Sequence, residues 1–283
     1  MKVKLEFVRS LECLESTQEG RPSYVAAGSG LVYHNNHFYV VADDEASLAC
    51  FPKVDSQKGH FIKLFEKKLP LEAKLRKKEK PDLESLVKLD EERLLALPSG
   101  SKDNRVWGAI YNLKTQLVTE LNLEESFRFL QKNIQELNIE GAVIRGETLL
   151  LFQRGNGATH ANALIHLNLN EFLHGDIKQS KIIPIHLGQT QNTFYSFTDA
   201  STGPDNLIYF LAAAENSEST YDDGEFIGAL IGALNEQGEV ILSRELDITG
   251  KPEGLAFDEQ GNFFIITDED DIKKASVLYK GKF

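Results

Sequence analysis

Cysteine is scarce in this 283-residue chain: Cys13 and Cys50 are the two present. Two thiols cannot supply a disulfide framework. The fold must therefore rest on a hydrophobic core, for which the apolar fraction of 41% is ample. No apolar run approaches the roughly 20 residues of a membrane-spanning helix. The opening MKVKLEFVRSLE alternates polar and apolar residues and lacks the features of a secretory signal, so a cytoplasmic protein is expected. A basic surface is missing too. The net charge is −12, which argues against nucleic acid as a partner, since phosphates call for positive charge. Familiar hydrolase signatures are absent: there is no G-x-S-x-G, no H-E-x-x-H and no paired C-x-x-C. Gly28-Ser29-Gly30 is followed by neither a Lys-Ser/Thr pair nor a helix, so it is not a phosphate loop.

What the chain does have is a repeat. The segment KPEGLAFDEQGNFFIITDEDD, residues 251–271, reads as two apolar strands around a Gly/Asn turn, a β-hairpin. Related hairpins open at Ser29, Glu84, Glu140, Thr198 and Glu253, spaced by 55, 56, 58 and 55 residues. In each, the second strand begins nine positions after the opening residue, at Phe38, Arg93, Leu149, Leu207 and Asn262. A steady period of this length indicates propeller blades or an array. Two more strand-like segments follow each of the first four hairpins, for example SLACF and HFIKLFE in the first. Four strands per period make a propeller blade.

After the fifth hairpin one segment remains, ASVLYKGK. A strand over Val3–Ser10 would complete that blade and remove the open edges of the array. The expected fold is all-β: a single five-bladed β-propeller over residues 1–283 with four-stranded antiparallel blades. The N-terminal strand closes the last blade. One peripheral helix is expected, because Asn122 and Glu125 resemble a capping box and Phe127, Leu130, Ile134 and Leu137 recur at helical spacing. The basic segment KKLPLEAKLRKKEK, residues 67–80, reads as a solvated helix or loop, with docking to an anionic partner or a membrane surface as the alternative.

Strand direction decides which residues meet. Ser29, Glu84, Glu140, Thr198 and Glu253 each begin an innermost strand, so they should ring one mouth of the central channel. The strand exits Asp43, Asp44, Ser99, Arg154, Glu215, Asp268 and Glu269 should surround them, with Lys102, Arg105 and His160 in loops within reach. His34 and His37 fall in a turn at the opposite end and read as a polar turn. Converging carboxylates must be neutralised by a proton, a basic side chain or a cation. Oxygen donors of this kind suit Ca²⁺, with Mg²⁺ second. The expected metal donors are Glu84, Glu140, Glu253 and Asp43. Alternatively, the glutamates hydrogen-bond neighbouring blades and Arg154 and Lys102 neutralise them. The glycines after Glu140 and Glu253 should serve close backbone approach at the axis.

The hairpin KPEGLAFDEQGNFFIITDE, with PDLESLVKL and NIEGAVIRG, resembles the phytase-like or esterase-like β-propellers, with gluconolactonase-like and NHL-type propellers as more distant relatives. The shared pattern is D/P-x-E-G-hydrophobic, a D-x-x-G turn and an apolar strand ending in D-E. In several such families the channel mouth holds calcium, and some members hydrolyse phosphate esters, lactones or carboxylic esters; others have no assigned activity. The resemblance places the E-G glutamate on Glu140 and Glu253, and on Glu84 in the variant E-S. It places the acidic exit on Asp43, Asp44, Asp268 and Glu269. The chain departs from the pattern at Ser29 and Thr198, and at Arg154, where the fifth copy has Asp268. Two functions are open: a Ca²⁺-dependent hydrolase of a small anionic ester, lactone or phosphoester, or a binding scaffold presenting the channel mouth to a small molecule or a protein. In the first, Arg154, Lys102 and Arg105 bind the substrate, and His160 or Asp268 is the general base.

Overall fold

Five antiparallel sheets stand around one axis in the computed structural model, which describes residues 2–54, 57–155, 161–216, 224–269 and 271–283. Blade one comprises Gly28–His34, His37–Ala42, Ser47–Pro52 and His60–Lys63. Blade two comprises Leu83–Lys88, Arg93–Pro98, Trp107–Asn112 and Val118–Asn122. Blade three comprises Ile139–Arg145, Thr148–Gln153, Ala163–Asn168 and Lys181–Pro184, and blade four Thr193–Thr202, Ile208–Asn216, Glu225–Leu234 and Val240–Asp247. Blade five comprises Lys251–Phe257, Phe263–Asp268, Val277–Gly281 and, from the far end of the chain, Glu6–Ser10. The innermost strands touch in the order one to five and back to one, so the ring is closed.

Burial falls with distance from the axis. The inner strand Gly28–His34 is buried at every residue, whereas the outer strand Lys181–Pro184 is largely exposed. An inner strand has a neighbouring blade on each face, which is why apolar residues run on without alternating. The core is accordingly divided into five wedges, one between each pair of adjacent blades. Aromatic rings bridge the wedges edge to face: Phe38 of blade one meets Phe264 of blade five at 4.8 Å, and Phe152 of blade three meets Phe197 of blade four at 5.1 Å. This is the geometry aromatic pairs prefer. Cys13 and Cys50 are free and buried, and burial pushes their thiols up to about 12 and about 11.

Closure by the N-terminus holds, with one correction. The expected single strand over Val3–Ser10 breaks after Lys4. Glu6–Ser10 pairs antiparallel with Val277–Gly281, completing blade five. Val3–Lys4 instead pairs parallel with Leu246 and Asp247 at the outer edge of blade four. Arg9 then reaches blade one, donating to the carbonyls of Pro52 (3.2 Å) and Gln57 (2.5 Å) and lying 5.3 Å from the Phe51 ring. Residues 3–10 thus fasten three blades.

Three helices are described where one was expected: α1 (Ala73–Glu79), α2 (Glu124–Asn133) and α3 (Leu169–His174). In α2, Phe127 and Leu130 are buried against blades two and three as anticipated. The capping box does not form. Asn122 accepts from the Glu124 amide at 3.0 Å, and the Glu125 carboxylate pairs with Arg128. The six residues of α3 are too few to reveal a helical period. Its ends carry ordinary signals, Asn168 as N-cap and Gly175 with φ +75° as C-cap. Deletion of residues 2–10 should lower the melting temperature and broaden or split the calorimetric transition, because blade five loses a strand and its ties to blades four and one. A truncated protein that melts as sharply and as high as the intact chain would refute this account of closure.

Candidate functional site at the channel mouth

The five opening residues share one backbone feature. In every blade the pairing of the first two strands slips at that position: between Gly28 and Gly30, Leu83 and Ser85, Ile139 and Gly141, Phe197 and Asp199, and Pro252 and Gly254. Ser29, Glu84, Glu140, Thr198 and Glu253 are therefore the extra residues of five β-bulges. A bulge drops one residue out of the ladder and re-aims its side chain. Here Ser29, Glu84, Glu140 and Glu253 line a common cavity of about 80 Å³. Thr198 is fully buried, and its hydroxyl donates to the Pro252 carbonyl at 2.6 Å, tying blade four to blade five.

Gly30, Gly141 and Asp199, each the residue after a bulge, meet the backbone of the next blade. A Cβ on Gly141 would come within 2.7 Å of the Ala200 amide nitrogen, which explains glycine there. Blade four places Asp199 at the equivalent position, and its carboxylate accepts from the Leu255 amide at 2.7 Å.

Basic side chains neutralise most of the mouth. Arg154 donates to Glu140 at 3.2 Å and also pairs with Glu215. Lys251 bonds Glu215 at 3.1 Å and Glu253 at 2.7 Å. Across the channel, Lys80 is bonded to Asp43 and, at 2.9 Å, to Asp82. Arg105 bonds Asp82 at 2.7 Å. Burial opposes charge on Lys80, but Asp43, Asp82 and Glu84 prevail and hold its ammonium well above the usual lysine range. Burial likewise opposes ionisation of Asp82, yet Lys80, Arg105 and the Ser99 hydroxyl keep its carboxyl below the ordinary range.

Glu84 differs. It makes no hydrogen bond or ion pair among the described residues. Burial and the nearby Glu140, Asp82 and Asp43 push its carboxyl well above the ordinary range. Asp43, Asp82 and Glu84 each offer a carboxylate oxygen within 4.8 Å of the others. Of the four expected metal donors, Asp43 and Glu84 belong to this cluster, whereas Glu140 and Glu253 are each bonded to a base.

The remaining expected residues divide. Arg154, Arg105 and Asp268 line the cavity. Lys102 is not among its lining residues; its carbonyl accepts from the Arg105 amide at 2.9 Å, shaping the loop that delivers Arg105. His160 lies outside the described residues. Asp44 faces an adjoining cleft of about 510 Å³ between α1 and the end of blade five, which shares Asp43, Lys77, Lys80 and Asp268 with the channel cavity. His34 and His37 flank a turn whose central Asn35 and Asn36 have positive φ, 47° and 58°, as that reading requires; His34 is buried beneath it.

The basic segment is a correction. It forms α1, but Arg76 and Lys80 are buried rather than solvated, Arg76 lying 3.4 Å from Asp44. Asp82, Asn138 and Lys251 also join the mouth, and each stands two residues before an opening glutamate. Residues two apart share a face of a strand, so the repeat carried this signal.

A family model described as "Family of unknown function (DUF6929)" matches residues 24–282. Among solved structures, a glutaminyl cyclase from Myxococcus xanthus is similar at 12% identity and a TM-score of 0.53, covering 99% of this chain and 97% of that one. Regucalcin from Agrobacterium tumefaciens, described as a calcium-binding protein, is similar at 11% identity and 0.47, covering 99% and 95%. A putative gluconolactonase is similar at 12% identity and 0.45, covering 90% and 73%. At 12% identity the likeness to the cyclase is one of fold alone. No curated protein matches the sequence.

Burial pushes the Asp199 carboxyl well above the ordinary range, more than the Leu255 and Ala200 amides lower it, and Glu140 adds to the rise. An acid whose folded pKa is raised contributes stability that is complete below its unfolded pKa, about 4, and lost as pH rises through the folded value. Asp199→Asn cannot ionise and keeps an oxygen for the Leu255 amide. Its melting temperature should therefore exceed that of the native chain at pH 8 by more than at pH 4. A difference independent of pH would exclude a raised Asp199.

Proposed function

The chain belongs to DUF6929, a family of unknown function, and we propose that it binds a small polar molecule at the channel mouth and exchanges a proton with it through Glu84. The observation that carries this reading is the contrast within the mouth. The neighbouring carboxylates Asp43, Asp82, Glu140 and Glu253 are bonded to bases, whereas Glu84 faces the same cavity with no hydrogen bond or ion pair among the described residues and favours its protonated form. A carboxyl with a raised pKa in a cleft is suited to general acid or base work. The reaction class it fits is hydrolysis of an ester or lactone. Asp268, on the wall shared by cavity and cleft, is the second candidate group.

The ligand chemistry follows from the same pairs. Arg154, Arg105, Lys80 and Lys251 are all bonded to carboxylates, so a strongly anionic ligand must break existing pairs. A neutral molecule rich in hydroxyl or ester oxygens bridges them instead. This favours an uncharged polar substrate over the anionic one expected from the sequence.

General acid–base catalysis contributes about 10²–10⁴-fold. Glu84→Gln should reduce hydrolysis of the responsive member of an ester, lactone and phosphoester panel by a factor in that range while the protein stays folded. Activity that depends on protonated Glu84 should fall as pH rises through its pKa. Turnover unchanged in Glu84→Gln would sink the proposal. Saturable binding without turnover would leave a non-catalytic scaffold.

The three carboxylates of Asp43, Asp82 and Glu84 are by type a donor set Ca²⁺ accepts. The ammonium of Lys80 already binds two of them, so the residues as arranged fit a lysine rather than a metal. Ca²⁺ should therefore leave the melting temperature of the native chain unchanged, and Lys80→Met should acquire a saturable rise. A ligand of the folded state adds about 2.7 kcal/mol at a hundred times its dissociation constant. A saturable rise in the native chain, absent with Mg²⁺, would establish the calcium reading instead.

A further inference from the structure

A second cavity, of about 380 Å³, lies away from the channel on the flank between blades one and two. Its wall holds the single tryptophan of the chain, Trp107, 42% exposed. Other aromatic rings are exposed as well, among them Phe7 and Phe283, but the Trp107 ring stands in the wall of a cavity. Phe65 and Pro81 add apolar surface beneath it. Neither the indole ring nor its N–H has a partner among the described residues.

Three carboxylates surround this apolar floor: Glu66, Glu79 and Glu120. Glu66 is paired with Lys63 at 3.1 Å. The Glu79 and Glu120 carboxylates have no hydrogen bond or ion pair among the described residues. Glu120 is held beside the indole by the sheet. Trp107 pairs with Asn122 and Ala109 with Glu120, so Trp107 and Glu120 are diagonal neighbours on one face. Lys67 is the one base on the wall, and its ammonium is tethered to the Glu79 backbone carbonyl at 2.6 Å.

We infer that this flank cavity is a binding site for a small organic cation, an ammonium group carrying an apolar body. The indole face attracts the cation through its quadrupole. Phe65 and Pro81 receive the apolar part, and Glu79 and Glu120 supply the opposite charge. An anion is disfavoured by the three carboxylates, and a neutral apolar molecule leaves them without a counter-charge. The site shares no lining residue with the channel mouth, so it stands or falls independently of the role of Glu84.

Trp107 is also the reporter. Benzyltrimethylammonium chloride, titrated at constant ionic strength, should change the tryptophan emission saturably, whereas benzyl alcohol and sodium chloride should not. Glu79→Gln and Glu120→Gln should each weaken binding by up to about fivefold, the size of an exposed charge pair, and Glu84→Gln should leave it unchanged. Trp107→Ala, followed by ligand-observed NMR of the same probe, should lose binding. A non-saturable change, an equal response to benzyl alcohol, or affinity indifferent to both glutamine variants would overturn the inference.

Discussion

One extra residue at the head of each inner strand determines what faces the channel. The five bulges occur at equivalent positions, and each takes a side chain out of the ladder where blades crowd most closely. Beyond that point there is little room. Gly141 abuts the backbone of blade four, and Asp199 is accepted in the same place only with its carboxylate bonded to the Leu255 amide. The mouth is therefore the part of the axis where large polar side chains fit, and three of its five bulge positions carry glutamate.

Bringing those glutamates together creates an electrostatic cost that the chain meets with its own cations. The fold carries Arg154 on a strand exit and Lys251 two residues before a bulge. Lys80 arrives from just beyond α1. Low dielectric makes each such pair strong and each unpaired charge expensive. Glu84, which has no hydrogen bond or ion pair among the described residues, responds by favouring its protonated form. The same helix that supplies Lys80 also walls the adjoining cleft, so access to the mouth and neutralisation of the mouth are the work of one element.

Ring closure makes this arrangement durable. Each wedge of the core belongs to two blades, and no blade can leave without opening two of them. Residues 3–10 meet three blades at the junction where the repeat would otherwise end, which places closure on backbone pairing and on the donors of Arg9 rather than on a disulfide.

Periodicity made the fold legible. The spacing of apolar pairs and of the residues Ser29, Glu84, Glu140, Thr198 and Glu253 reports local strand geometry, which each repeat specifies for itself. Helix α3 escaped because six residues do not complete a pattern. The break after Lys4 escaped because Val3 and Val8 look alike along a strand, whichever blade receives them. The face at which these side chains gather was legible too, since strand direction follows from the hairpins. Its chemistry was not. Lys80 reaches Asp43 over 37 residues and Arg154 reaches Glu215 over 61, and no local pattern distinguishes a lysine that will be buried against carboxylates from its solvated neighbours Lys74 and Lys78. The amino-acid sequence by itself determined five blades, a closed ring and a ring of glutamates at one mouth. Only the tertiary structure decided which base neutralises which acid and left Glu84 apart, because that choice depends on distances across the axis that exist once the ring has closed.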